Sequence, residues 1–131
     1  MNNAARMTLR LPRQSHISHH LRDLHWLPVR HRINYKLACI CYHCINSADS
    51  PLYLKQLIPK KTRSKYNTRS ISDTSALQDP PADSKKTLGD RSFSRAGPVV
   101  WNDLPQDVRL AQSTSSFKSS LKSHYFRDAY S

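Results

Sequence analysis

Residues 29–46 read VRHRINYKLACICYHCIN, and this stretch decides the fold. Val29, Ile33, Leu37, Ile40, Cys41, Cys44 and Ile45 recur at i, i+4, i+8, i+11, i+12, i+15 and i+16. That spacing traces one apolar line along an α-helix of about five turns. Pro28 stands just before or at the first turn, where an N–H would have no intrahelical partner and proline is tolerated. Arg30, Arg32, Lys36 and His43 fall largely away from the apolar line. The spacing therefore predicts a buried apolar face and a basic outer face.

Upstream, residues 4–27 have helical spacing broken by Pro12, which lacks an N–H and clashes with the preceding turn. Ser15 is expected to cap a short helix through Leu24, with Ile17, Leu21 and Leu24 on one side. Downstream, residues 46–51 form a break, and Ser50 followed by Pro51 is expected to open a second short helix over 52–58. Leu54, Leu57 and Ile58 are its candidate buried side. Residues 59–87 change character, with only Tyr66, Ile71, Ala76, Leu77 and Ala82 apolar among 29 positions. Such a segment buries too little surface to offset its ordering entropy, so a long mobile loop is predicted there. One short hairpin strand is expected within it, at 69–72 or 84–88. Gly89-Asp90 is expected to form a turn in which glycine takes a positive φ at little cost. Phe93, Ala96, Val100 and Trp101 share a helical face that ends at residues 102–105. A last helix runs from a cap at Ser113, Thr114 or Ser115 through Phe117, Leu121, Tyr125 and Phe126 to Tyr130. The fold class is mostly α. Segments 1–58, 59–87 and 88–131 together make one small helical domain, in which the central helix packs against the two C-terminal ones.

Composition narrows the function. The chain has 131 residues, 21 Lys/Arg and nine acids, all of them Asp, for a formal net charge of +12. Apolar residues make up 37%, which limits the size of the core. No run approaches the roughly 18 apolar residues of a membrane span. The opening MNNAARMTLRLPRQ has no hydrophobic signal core, so the expected location is nuclear or cytoplasmic rather than secreted. Three cysteines, all between Cys39 and Cys44, make no disulfide framework and fit a reducing compartment.

The charge is unevenly spread. Residues 1–65 carry 12 Lys/Arg against two Asp, whereas residues 66–131 carry nine against seven. Such a basic half attracts polyanions, nucleic acid above all, although a solvated basic face that only keeps the chain soluble has the same composition. Arg10, Arg13, Arg22, Arg30, Arg32, Lys36, Lys60, Lys61, Arg63 and Lys65 are the candidate phosphate contacts. The run Lys60-Lys61-Thr62-Arg63-Ser64-Lys65 fits either a nuclear-import word or a flexible phosphate-contacting arm.

Candidate chemical sites fail on geometry. Cys41 and Cys44 share one helical face while Cys39 and His43 share another, so the four cannot converge on one metal ion. The two buried-side cysteines are better taken as small apolar core residues. His16 and His20 have the i, i+4 spacing of a zinc peptidase but lack its glutamate. No G-x-S-x-G elbow is present, and two glycines cannot build a phosphate loop. Trp26, Trp101 and Phe93 have the flat faces that stack on bases, yet core anchoring is the commoner use of such residues. No catalytic set, metal, cofactor or small-molecule substrate is expected.

The ordered words of the sequence carry a resemblance. Leu24-His25-Trp26-Leu27-Pro28-Val29, Arg32-Ile33, Tyr35-Lys36-Leu37 and Ser50-Pro51-Leu52-Tyr53-Leu54 are followed by Gly89-Asp90-Arg91-Ser92-Phe93-Ser94. Gly97-Pro98, Trp101-Asn102-Asp103-Leu104-Pro105, Arg109, Phe117-Lys118 and Leu121-Lys122 complete the series. Over essentially the whole chain this resembles the region downstream of the reverse transcriptase domain in non-LTR (LINE-type) retrotransposon polyproteins of animals. Asn3-Ala4-Ala5-Arg6 and His16-Ile17 resemble the start of that region. The resemblance implies a non-catalytic fragment, because the family's polymerase and endonuclease motifs are absent. No adjacent Asp-Asp pair is available to hold two metal ions, and Pro80-Pro81 separates Asp79 from Asp83. The chain also departs from the family's zinc-knuckle arrangement, having no Cys-x2-Cys with a downstream His and Cys. The implied role is support of nucleic-acid handling during target-primed reverse transcription, by weak, electrostatic, sequence-independent contact with RNA or DNA. The polymerase domain itself is the other implied partner. A transposon relic without biochemical function and a protein-interaction module are the alternatives.

Overall fold

A computed structural model describes residues 2–61, 75–80 and 88–131. Among the described residues seven α-helices follow in chain order: α1 (Asn2–Thr8), α2 (Ser18–Asp23), α3 (Val29–Asn46), α4 (Leu52–Leu57), α5 (Phe93–Asn102), α6 (Gln106–Arg109) and α7 (Thr114–Tyr130). A short 3-10 helix over Leu88–Arg91 leads into α5. The chain is thus a mostly helical domain, and α3 packs against both α5 and α7 as its spacing predicts. Two apolar clusters hold it together. The larger joins Ala38, Cys41, Tyr42 and Cys44 of α3 to Trp101, Leu104, Val108, Phe117, Leu121 and Tyr125. The smaller joins Ala5, Ile17 and Leu21, with Leu11, Leu24, Trp26 and Tyr130 packed around them.

The bounds of α3 match the apolar periodicity, and the C-terminal part of its apolar line, Cys41, Cys44 and Ile45, does turn towards the core, but the rest of the line does not all follow. Val29 (55% exposed), Ile33 (56%) and Ile40 (41%) lie on the outside. The helix instead turns Ala38, Cys41, Tyr42 and Cys44 inward, flanked by Tyr35 and Ile45. Aromatic area explains the rotation, since a buried aromatic ring removes more apolar surface from water than an aliphatic side chain does. The Tyr42 ring stacks on Phe117 at 4.2 Å and meets Trp101 at 6.5 Å. Its hydroxyl donates to the Ala111 carbonyl at 2.8 Å, so the polar end of the ring is satisfied as well. The small residues beside it let α5 come close. A Cβ on Gly97 would lie 3.3 Å from Cys41 Sγ and 3.3 Å from the Phe93 ring. Gly97 therefore serves close approach, and no glycine takes a positive φ, contrary to the expectation for Gly89.

Several local signals act differently from expectation. Ser113 does cap α7, its hydroxyl accepting from the Ser116 N–H at 3.1 Å. Ser50 does not cap α4; it is buried and donates backward to the His43 carbonyl at 2.7 Å, tying the end of α3 to the next turn. Ser15 caps nothing, because α2 begins only at Ser18 and Ser15 belongs to a turn in which its N–H bonds Pro12. On α4 and its exit, Ile58 is buried and Leu54 partly so, while Leu57 is exposed. The short α6 and the buried Leu104 and Val108 around it had no periodic signal of their own.

Most of the loop expected over 59–87 lies outside the described residues, but its described pieces, 59–61 and 75–80, supply part of the core. Leu77 is fully buried within the larger cluster. Residues 59–61 and 76–78 pair antiparallel: Lys61 N–H donates to the Ala76 carbonyl at 3.2 Å, and Gln78 N–H to Pro59 at 2.9 Å. Asn102 grips the same segment in the manner of a neighbouring strand. Its Oδ1 accepts from the Leu77 N–H at 2.9 Å, and its Nδ2 donates to the Leu77 carbonyl at 3.0 Å. The same Nδ2 donates to Asp79 Oδ1 at 2.7 Å, and Trp101 Nε1 donates to the Ser75 carbonyl at 2.8 Å. The strand expected at 69–72 lies outside the described residues, as does 84–88 apart from Leu88 in the 3-10 helix.

Because Asn102 supplies both backbone partners of a buried leucine, Asn102→Ala is expected to cost about 2–3 kcal/mol. Denaturant unfolding measures this, and a loss within about 0.5 kcal/mol, the range of an ordinary surface substitution, would remove the clamp from the account.

Candidate nucleic-acid interface

The link between α2 and α3 shapes the candidate site. His25 takes a left-handed conformation with φ 53°. Its N–H donates to Arg22 at 2.9 Å, and the Trp26 N–H donates to Leu21 at 2.8 Å. This pair of bonds is a Schellman ending, with Trp26 packed on the cluster that holds Leu21. Histidine is one of the few side chains enriched at positive φ. The His25 ring stacks on Phe126 of α7, centroids 5.5 Å apart, and the Tyr130 hydroxyl donates to the Trp26 carbonyl. Pro28 then directs the chain into α3. An identical ending closes α1, with Arg10 at φ 53° and the Leu11 N–H on Arg6 at 2.9 Å.

These constraints leave a cleft of about 550 Å³ between the start of α1, the α2–α3 link, α3 and α7. Its apolar and aromatic walls come from Ala4, His25, Trp26, Leu27 and Tyr35. Arg32 and Lys36, one turn apart on α3, and Lys122 of α7 bring three cations to it, and none of its described lining residues is a carboxylate. Lys36 and Lys122 are exposed. An anion entering the cleft therefore meets converging positive charge beside a low-dielectric wall, where electrostatic attraction is least screened.

Of the sequence candidates among the described residues, the structure brings Arg32 and Lys36 together. Arg10, Arg13, Arg22 and Arg30 are exposed but do not line the cleft. Lys60 lines a separate cavity of about 280 Å³ beside Lys55, and Lys61 Nζ lies 3.5 Å from Asp79 Oδ2. Arg63 and Lys65 lie outside the described residues. Lys122 was missed because the C-terminal half is nearly neutral on average. Its i, i+4 relation to Lys118 on one helix was the available signal. Trp101 and Phe93 belong to the core, whereas Trp26 is half-buried and lines the cleft.

The thiols have distinct environments, and all three are free. Cys41 and Cys44 are core residues. Burial, reinforced by the neighbouring Cys44, pushes the Cys41 thiol up to about 12. Burial also raises Cys39, while a hydrogen bond from Tyr35 and the charge of Lys118 pull the other way. Among the described residues no group of three or more His, Cys, Asp or Glu is placed to hold a metal ion. No described helix is long and apolar enough to cross a membrane. In comparison with known proteins, no family model, no curated protein and no solved structure matches the chain.

The Cys41 environment predicts an alkaline weakness. The unfolded thiol ionises near its ordinary value of 9.0, while burial keeps the folded one protonated to about 12. A group whose folded pKa is raised contributes its full stability below the unfolded value, so stability falls as pH rises from about 9 towards 12. Denaturant midpoints across that window should fall less steeply in Cys41→Ala than in the parent chain. Equal slopes would show that Cys41 does not drive the loss.

Proposed function

We propose that this chain is a non-catalytic nucleic-acid-binding domain, the counterpart of the region downstream of the polymerase in a non-LTR retrotransposon polyprotein. It holds RNA or DNA through phosphate contacts and acts in the nucleus or cytoplasm, without a cofactor. The observation that carries this reading is the convergence of Arg32, Lys36 and Lys122 on one cleft with no carboxylate among its described lining residues. The long stems of these side chains can lie along apolar surface while their charged heads meet phosphate.

A second reading has its own support. Val29, Ile33 and Ile40 form an exposed apolar line along α3, and such a line on a small helical domain suits a protein partner. The polymerase domain that precedes this region in the resembled polyproteins would be that partner.

Salt separates the two readings. Three phosphate contacts to a single strand predict that affinity falls about 20-fold between about 50 and about 200 mM salt. Fluorescence anisotropy with labelled single-stranded RNA and duplex DNA measures this on a chain whose folding is checked by circular dichroism. A folded chain that binds neither ligand would overturn the nucleic-acid reading and leave the apolar line of α3 as the working surface.

A further inference from the structure

The cleft is built for more than phosphate. A surface that only follows a nucleic-acid backbone needs cations and polar groups. Here the three cations stand beside a recess walled by Trp26, Leu27 and Tyr35. Its volume of about 550 Å³ falls within the range in which small ligands and single chemical groups are enclosed. Resting on the nucleic-acid reading above, we infer that this cleft is a single-strand site. It takes one unpaired nucleotide, with the base against Trp26 and the adjoining phosphates on Lys36 and Lys122.

Complementarity selects the single strand. An unpaired nucleotide presents an apolar flat face and a negative charge within one residue, and the cleft offers an aromatic wall and positive charge within one recess. A duplex offers the charge alone, because its bases are stacked and paired. To fill the recess it would have to extrude a base, at a cost of a few kcal/mol. Stacking on an aromatic side chain tolerates any base, so the site needs no sequence preference.

The aromatic wall is also held in place before binding. The Trp26 backbone is fixed through its N–H on Leu21 and the Tyr130 hydroxyl on its carbonyl, and its side chain packs on the Leu21 cluster. Little side-chain entropy remains to be lost when a base stacks there. The cations differ in this respect. Lys36 and Lys122 are exposed and can follow a strand whose phosphate spacing varies. A rigid stacking face with adjustable charges suits binding that is strong for unpaired strands and indifferent to sequence.

The test titrates the full chain with a labelled oligothymidylate, an oligouridylate of equal length and a duplex of the same number of nucleotides. Anisotropy gives affinity and intrinsic tryptophan fluorescence reports on the cleft, the only other tryptophan, Trp101, being buried in the core. Both single strands should bind about tenfold tighter than the duplex and quench the fluorescence, as expected for one stacked base. Trp26→Leu should erase that preference and the quenching. Lys122→Gln, an exposed substitution that leaves the core intact, should lower the slope of log affinity against log salt by about 0.7. Equal affinity for strand and duplex, or an unchanged preference in folded Trp26→Leu, would overturn the single-strand site while leaving nucleic-acid binding standing. Failure to bind any of the three ligands would remove the underlying reading instead. An acidic peptide that quenches as fully as the strands, and displaces them, would assign the cleft to a protein partner and overturn the proposal.

Discussion

The rotational setting of α3 governs the rest of the molecule, and Tyr42 sets it. With its ring on Phe117 and its hydroxyl on the Ala111 carbonyl, Tyr42 turns one arc of the helix into the core. Any rotation that buried the aliphatic line instead would pull this ring and its hydrogen bond away from α7 and the loop before it. From that setting follow the close contact of Cys41 with Gly97, the exposure of Val29, Ile33 and Ile40, and the position of Tyr35, Arg32 and Lys36 at the cleft. Core packing and the candidate site are two consequences of one orientation.

The periodicity of residues 29–46 was enough to give the bounds of α3, and the capping run at 113–115 was enough to place the start of α7, whose cap is Ser113. The two partners of α3 were also legible, since Phe93, Val100 and Trp101 recur at helical spacing in one, and Phe117, Leu121 and Tyr125 in the other. What periodicity could not give was which part of the apolar line turns inward, Cys41, Cys44 and Ile45 doing so and Val29, Ile33 and Ile40 not. A line drawn through aliphatic residues and cysteines leaves out a half-polar aromatic such as Tyr42, although it buries the larger surface.

The segment around Leu77 was illegible for a different reason. Its order does not come from its own residues, which are mostly polar, but from Asn102 and Trp101 about 25 positions away. A side chain that imitates a neighbouring strand leaves no alternation for a sequence reading to find. The cleft was hidden likewise. Arg32 and Lys36 were marked by charge, but Lys122 comes from a half whose aspartates mask it, and Trp26 is placed by the left-handed turn at His25. The basic run at Lys60–Lys65 drew attention by its density. Among its described members, Lys61 is already paired with Asp79.

The claim that the cleft, and not the basic run, holds nucleic acid is tested most directly by photocrosslinking a thiouridine-substituted single strand to the full chain and locating the adducts by mass spectrometry. The account predicts adducts on Trp26 or Tyr35 and in the peptide that carries Lys122. Adducts confined to the peptides around Lys60 and Lys61, with none at the cleft, would contradict it.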